Sequence, residues 1–193
     1  MKREGKKKGK KVFWISFSLL AVLIIAAVLL RPMVLKWSYP LKYEEQVEKY
    51  AAEYGLDDML VYSIIRCESS FDPEARSHAG ACGLMQLMPT TAQWFAENKE
   101  QIEYSQEMLF DPDYNIRLGC AYLSYLDERF DGNLGNMLAA YNAGEGRVRQ
   151  WLSSPIYSED GQNLSAIPYP ETKNYVERVQ NAYAMYNQLY REI

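Results

Sequence analysis

The chain has 193 residues, 48% hydrophobic and 13% aromatic with 16 tyrosines, enough for one domain of roughly 150 residues plus extensions. Residues 1–11 carry seven Lys/Arg and one Glu, a net of +6, whereas the other 182 residues hold 14 basic and 24 acidic groups, a net of −10. That acidic balance argues against nucleic acid as a partner of the main body, since such binding is dominated by phosphate neutralisation, and a single histidine, His78, with three cysteines outside zinc-ligand spacing argues against a metal site.

The first element is an uncharged run of 19 residues, Val12 to Leu30. About 20 apolar residues span a bilayer as a helix. A cleaved signal peptide has a shorter apolar core and a small-residue cleavage site, so this run predicts a retained transmembrane anchor. The basic tail, 1–11, belongs on the cytoplasmic side. Everything after Arg31 then lies outside, giving a single-pass protein of the cell membrane with an extracytoplasmic body. Residues 31–40, punctuated by Pro32 and Pro40, read as a linker, and 41–193 as one domain.

Helices follow in series. The first runs from about Pro40 to Tyr54, with Tyr43, Val47, Tyr50 and Tyr54 on one face and Gly55 as its stop. Asp57 caps the next, about Asp58 to Ser70. Thr90 or Thr91 opens a short one through Phe95. Asp111-Pro112 is a cap followed by a first-turn proline and starts a helix to about Phe130. Asn133 begins another, ending at "NAG", and a short helix covers Arg147–Leu152. Ser153 to Pro170 is a loop. Glu171 to Tyr190 closes the chain with Tyr175, Val179, Ala182, Tyr183, Tyr186 and Tyr190 on one stripe. No strand pattern is visible, so the fold class is all-α. Cys67, Cys82 and Cys120 read most simply as three small buried thiols; one disulfide remains open and one cysteine is left over.

Leu60, Ile64 and Glu68 fall at i, i+4 and i+8, so Glu68 continues an apolar face. Such a carboxyl has a raised pKa, which suits a general acid near neutral pH; a helix-end glutamate tucked against a cap or an arginine is the plain alternative. In "AGACGLMQLMPTT", Gly80 and Gly83 let backbone approach a ligand, and Gln86 sits in an apolar segment, either reading sugar hydroxyls or bonded to backbone. "AAYNAGEGRV" brings Tyr141 and Asn142 to the last turn of an apolar helix, as cleft lining or as core and C-cap.

"ESSF", "GLMQLMP", "NIRLGCAYL", "AYNAG" and "IPYPETKNYV" occur in this order. Together they resemble the soluble lytic transglycosylase catalytic domain of the lysozyme-like superfamily, here in a membrane-anchored form, over about Tyr43 to Met185. The resemblance implies a lysozyme-like helical domain acting on peptidoglycan glycan strands, with no cofactor. It implies Glu68 as the catalytic acid and base, Ser69 near the acetamido group, Met85 and Gln86 in the sugar cleft, and Tyr141 and Asn142 as cleft residues. Glu171 and Tyr175 would shape the cleft from the last helix, and Asn115 would be structural. Cys67 and Cys82 stand where the family has other small residues.

The resemblance also implies a one-carboxylate reaction. Glu68 protonates the oxygen linking N-acetylmuramic acid to N-acetylglucosamine, then takes the proton of the C6 hydroxyl as O6 closes on C1 to leave a 1,6-anhydro end. Asp72 and Glu74, in the following loop, have no spacing that argues for a nucleophile. The alternatives are a muramidase using water at the same bond, an inactive wall-binding component of an envelope-spanning machine, and a helical adaptor whose glutamate is purely structural.

Overall fold

The computed structural model describes the backbone of residues 2–191, with side chains from Trp14 onward except at positions 15, 16, 18, 21, 27 and 32. The chain divides into two compact units, 1–40 and 41–193. The first is one helix, α1 (Lys2–Ser38). The expected linker over 31–40 is thus helical through Ser38; a proline removes one backbone donor without ending a helix whose neighbouring residues are good helix formers. Among the described residues no helix is long and apolar enough to cross a membrane. The side chains of the expected tail, and several of those of the expected anchor, lie outside the described residues.

The second unit is helical: α2 (Glu44–Glu53), α3 (Asp58–Ser69), α4 (Pro89–Phe95), α5 (Pro112–Arg129), α6 (Leu134–Ala143), α7 (Glu145–Leu152) and α8 (Pro170–Tyr190). Among the described residues there is no strand, only isolated bridges of Cys82 with Arg76 and with Leu87. Caps fix the helix starts. The Asp57 carboxylate accepts from the Met59 amide at 2.8 Å, Asp111 from Tyr114 at 2.9 Å, and the Asn133 side chain from the Asn136 amide at 2.9 Å.

Helix α3 is the centre of the domain. Met59 to Ile65 are seven consecutive buried residues, so the helix is enclosed on every side rather than lying on a surface. The buried Ser63 hydroxyl donates to the Met59 carbonyl within the helix at 2.6 Å. Each fully buried isoleucine there contributes about 1.5–3 kcal/mol. Helix α8 packs along α3, α6 packs on α8, and α2 joins α3 to α5. Two stretches depart from regular helix: a π turn, Ala96–Glu100, extends α4, and a 3₁₀ turn, Gln106–Phe110, precedes α5. The loop between α7 and α8 is tied to the start of α6, where Asn136 donates to the Gln162 carbonyl at 2.6 Å and accepts from the Leu164 amide at 3.2 Å.

Candidate active site

The enclosed helix α3 ends abruptly. Ser70 and Phe71 both take left-handed backbone, φ 54° and 65°, which is uncommon for residues with a Cβ. Phe71 is buried and its ring packs 6.4 Å from that of Tyr62, an anchor that holds the turn in place. The last turn of α3 therefore leaves the core at Glu68, which is half-buried. Burial raises its carboxyl to about 7; the Tyr175 hydroxyl and then the Arg178 guanidinium pull the other way. The negative end of the α3 dipole also disfavours a charge there.

Tyr175 is 2% exposed, and its hydroxyl lacks a partner of full hydrogen-bond geometry. It nevertheless lies near enough to Glu68 to favour the carboxylate form, and its own ionisation is pushed well above 10 by burial and then by the Glu68 charge. The Tyr141 hydroxyl is likewise pushed well above 10, by burial and then by Glu68. It donates to the Met85 carbonyl at 2.8 Å. Both tyrosines are neutral donors at any physiological pH.

Beside Tyr141 opens a cavity of about 210 Å³, lined by Gln86, Met88, Thr91, Tyr122, Tyr141 and Asn142 among others. Glu68 is outside this lining and is joined to it through Tyr141. One wall is the turn from Cys82 to Met88, built around Asn115 of α5. The fully buried Asn115 amide donates to the carbonyls of Cys82 at 3.1 Å and Leu109 at 2.8 Å, and accepts from the Met85 amide at 2.8 Å. Gly83 has φ 78°, and a Cβ there would stand 2.1 Å from the Leu109 carbonyl oxygen. Gln86 is held at φ 49°, a strained position over-determined by its surroundings. Its amide nitrogen donates to the carbonyls of Gly83 at 2.8 Å and Ala75 at 3.0 Å. The side-chain oxygen is thus the atom left to accept from a ligand.

The sequence-derived residues do not all converge. Gln86, Tyr141 and Asn142 share the cavity, and Glu68, Tyr175 and Tyr141 lie within electrostatic reach of one another. Met85 is 0% exposed, its sulfur packed over Gly119 where a Cβ would come within 2.2 Å of it. The Met85 side chain is therefore core, and what Met85 turns toward Tyr141 is its backbone carbonyl. The Ser69 hydroxyl donates to the Ile65 carbonyl at 3.2 Å. Glu171 is exposed in the first turn of α8, one turn before Tyr175. Tyr122, Thr91, Met88 and Arg178 are additions that sequence reasoning passed over; Tyr122 alone had a signal, its place on the apolar face of α5.

The sequence profile of the Transglycosylase SLT domain family matches residues 45–163. The chain is similar to the soluble lytic murein transglycosylase of Escherichia coli K12, with 37% identity over 143 residues, covering 73% of this chain and 22% of that protein. It is 32% identical over 173 residues to the membrane-bound lytic murein transglycosylase C of Edwardsiella ictaluri, covering 77% of this chain and 47% of the relative. Among solved structures it is similar to an inactive mutant of the lytic transglycosylase Slt from Pseudomonas aeruginosa, with TM-score 0.69 and 40% identity over 78% of this chain and 24% of that one. A complex of the 70-kDa soluble lytic transglycosylase with bulgecin A gives TM-score 0.74 at 33% identity, over 82% and 26%. The chain thus spans about a quarter of the length of these soluble relatives.

Proposed function

Because the chain belongs to the transglycosylase SLT domain family, we propose that it is a peptidoglycan lytic transglycosylase that cuts the bond from N-acetylmuramic acid to N-acetylglucosamine and leaves 1,6-anhydromuramic ends. The observation that carries this reading is the carboxyl of Glu68, raised to about 7 by burial and within electrostatic reach of Tyr141, which lines a cavity together with Gln86 and Asn142.

Glu68 in its protonated form donates to the glycosidic oxygen. As positive charge grows at C1, the substrate's own acetamido oxygen stabilises it from the far side, the substrate-assisted route. The carboxylate left behind is held by the Tyr175 hydroxyl and the Arg178 charge, the two groups that favour its ionised form. It then removes the proton of the C6 hydroxyl, and O6 closes on C1 without water. The attack is intramolecular and gains from high effective molarity. The Gln86 oxygen and the Asn142 side chain orient the sugar; Tyr141 holds the backbone of the wall to which Gln86 belongs.

Residues 12–30 anchor the enzyme in the membrane, with 1–11 in the cytoplasm and the domain outside, where peptidoglycan lies. The uncharged run supports this, as do the described apolar side chains of α1. Leu23, Ile24, Ile25, Val28 and Leu29 are all more than half exposed, an arrangement that lipid satisfies and water does not.

Digestion of purified peptidoglycan with the full chain, followed by mass analysis of the muropeptides, tests the chemistry. Products lighter by one water than the hydrolysed ends are expected. Ends carrying a reducing muramic acid would establish a muramidase instead.

A further inference from the structure

We propose that Trp94 and Tyr125 form a further saccharide platform that carries the glycan strand outward from the cavity. The inference rests on the reading of that cavity as the place where the strand is cut.

The cavity has one wall at the start of α4, with its N-cap Met88 and with Thr91, and another on α5, with Tyr122. Both walls continue outward by one helical turn. Trp94 follows Thr91 at i+3, and Tyr125 follows Tyr122 at i+3, spacings that place the residues on the same face of each helix. The two extensions meet, with ring centroids of Trp94 and Tyr125 6.3 Å apart. Phe95 fills the space behind them, 5.2 Å from Tyr122 and 5.6 Å from Tyr125, and Tyr122 packs 5.3 Å from Tyr141. An unbroken file of rings therefore leads from Tyr141 at the cavity to Trp94 at the surface.

Single exposed apolar residues are ordinary. Trp94 differs because it is the end of this file. It is 45% exposed, whereas Trp151, the other tryptophan of the domain, is 5% exposed. Its companion ring is fixed: the Tyr125 hydroxyl donates to Glu145 at 2.9 Å, and Glu145 is gripped by Arg129 and Arg149 at 2.9 and 2.8 Å. A ring pair with one member held this firmly loses little entropy when a ligand stacks on the exposed part of Trp94. The C–H face of a pyranose is such a ligand, and the strand seated in the cavity supplies one. Lys99 holds its ammonium 5.8 Å from the centroids of both rings, in place to meet a carboxylate of a stem peptide.

The test uses the full chain in detergent with Glu68→Gln, so that strands are bound and not cut, and peptide-free glycan strands as the probe. Trp94→Ala should weaken binding roughly tenfold, the loss of one aromatic stacking contact, and Trp94→Tyr should restore most of it. Bound strands should also protect the Trp94 indole of the folded parent chain from oxidation by N-bromosuccinimide, read by peptide mass. Unchanged affinity in Trp94→Ala, or an indole oxidised equally with and without strands, overturns the platform. Cleavage by parent and Glu68→Gln chains is measured in parallel. Loss of cleavage in Glu68→Gln together with unchanged binding in Trp94→Ala rejects the platform alone. A folded Glu68→Gln chain that still cuts rejects the catalytic reading, and the binding comparison still decides the platform.

Discussion

At the scale of single residues the proposed reaction depends on where Glu68 titrates. Its carboxyl sits at about 7 in the folded chain because burial disfavours the charge, against about 4.3 when unfolded. The folded state therefore holds its proton more tightly, and this group's contribution to stability is fully present below the unfolded value and lost as pH rises through about 7. The total is on the order of 4 kcal/mol. Glu68→Gln removes that slope. Its melting temperature should match or exceed the parent's above neutral pH, while turnover of peptidoglycan falls ~10²–10⁴-fold or more, measured as turbidity loss beside a thermal melt. Asp72 and Glu74 are exposed, so Asp72→Asn should clear peptidoglycan almost as the parent does. In the parent chain kcat/KM should decline as pH rises past about 7, because the acid is lost; a rate still rising at alkaline pH would contradict Glu68 as the donor. Helical periodicity put Glu68 in register with Leu60 and Ile64 on an apolar face, but its reading as an acid came from the motifs around it and the family resemblance. A motif read by residue type could not reveal that the Met85 side chain is buried in the core while its carbonyl accepts from Tyr141, because it does not say where each atom faces.

At the scale of elements, the cavity wall stands on the turn from Cys82 to Met88 and its support on α5. Asn115→Ala would leave the buried Met85 amide and two carbonyls without their partners, a cost of about 2–4 kcal/mol. Activity should fall as well, since Gln86 is held through the same turn. Gly83→Ala faces both a left-handed backbone and a carbonyl 2.1 Å from the new carbon, so it should destabilise by several kcal/mol in the same chemical denaturation series; a near-parent midpoint for either variant would mean the turn is not built on Asn115. The helices themselves were legible: capping side chains, first-turn prolines and apolar stripes give α3, α5, α6 and α8 within about two residues. The π turn 96–100 and the 3₁₀ turn 106–110 were not, because neither is long enough to repeat an apolar pattern. The continuation of α1 through Ser38 is not legible from Pro32, because a proline deletes one hydrogen bond and leaves the rest of the ladder intact.

At the scale of the whole molecule, no covalent link is needed to hold the domain. Cys67, Cys82 and Cys120 are all free thiols, and burial pushes the Cys67 and Cys120 thiols up, away from reactive thiolate. Melting curves with and without reductant should therefore coincide. The proposed reaction also needs a place to occur, and the charge division is what the proposed topology rests on. Seven basic residues precede an uncharged run of 19, and the remainder is net negative. A basic segment beside a spanning helix stays in the cytoplasm, so under the proposed anchor Leu41 and everything beyond it are expected on the outer side. Protease added to intact, wall-stripped cells should then digest the domain while a tag placed before Lys2 survives. A domain that resists the protease until the cells are lysed would reverse the orientation and separate the enzyme from its substrate. Moving the seven charges to the other side of the run, after Arg31, is the complementary experiment. If the charge asymmetry sets the topology, that chain should insert the opposite way, its domain should become resistant to external protease, and peptidoglycan cleavage by whole cells should be lost although the purified protein still cuts.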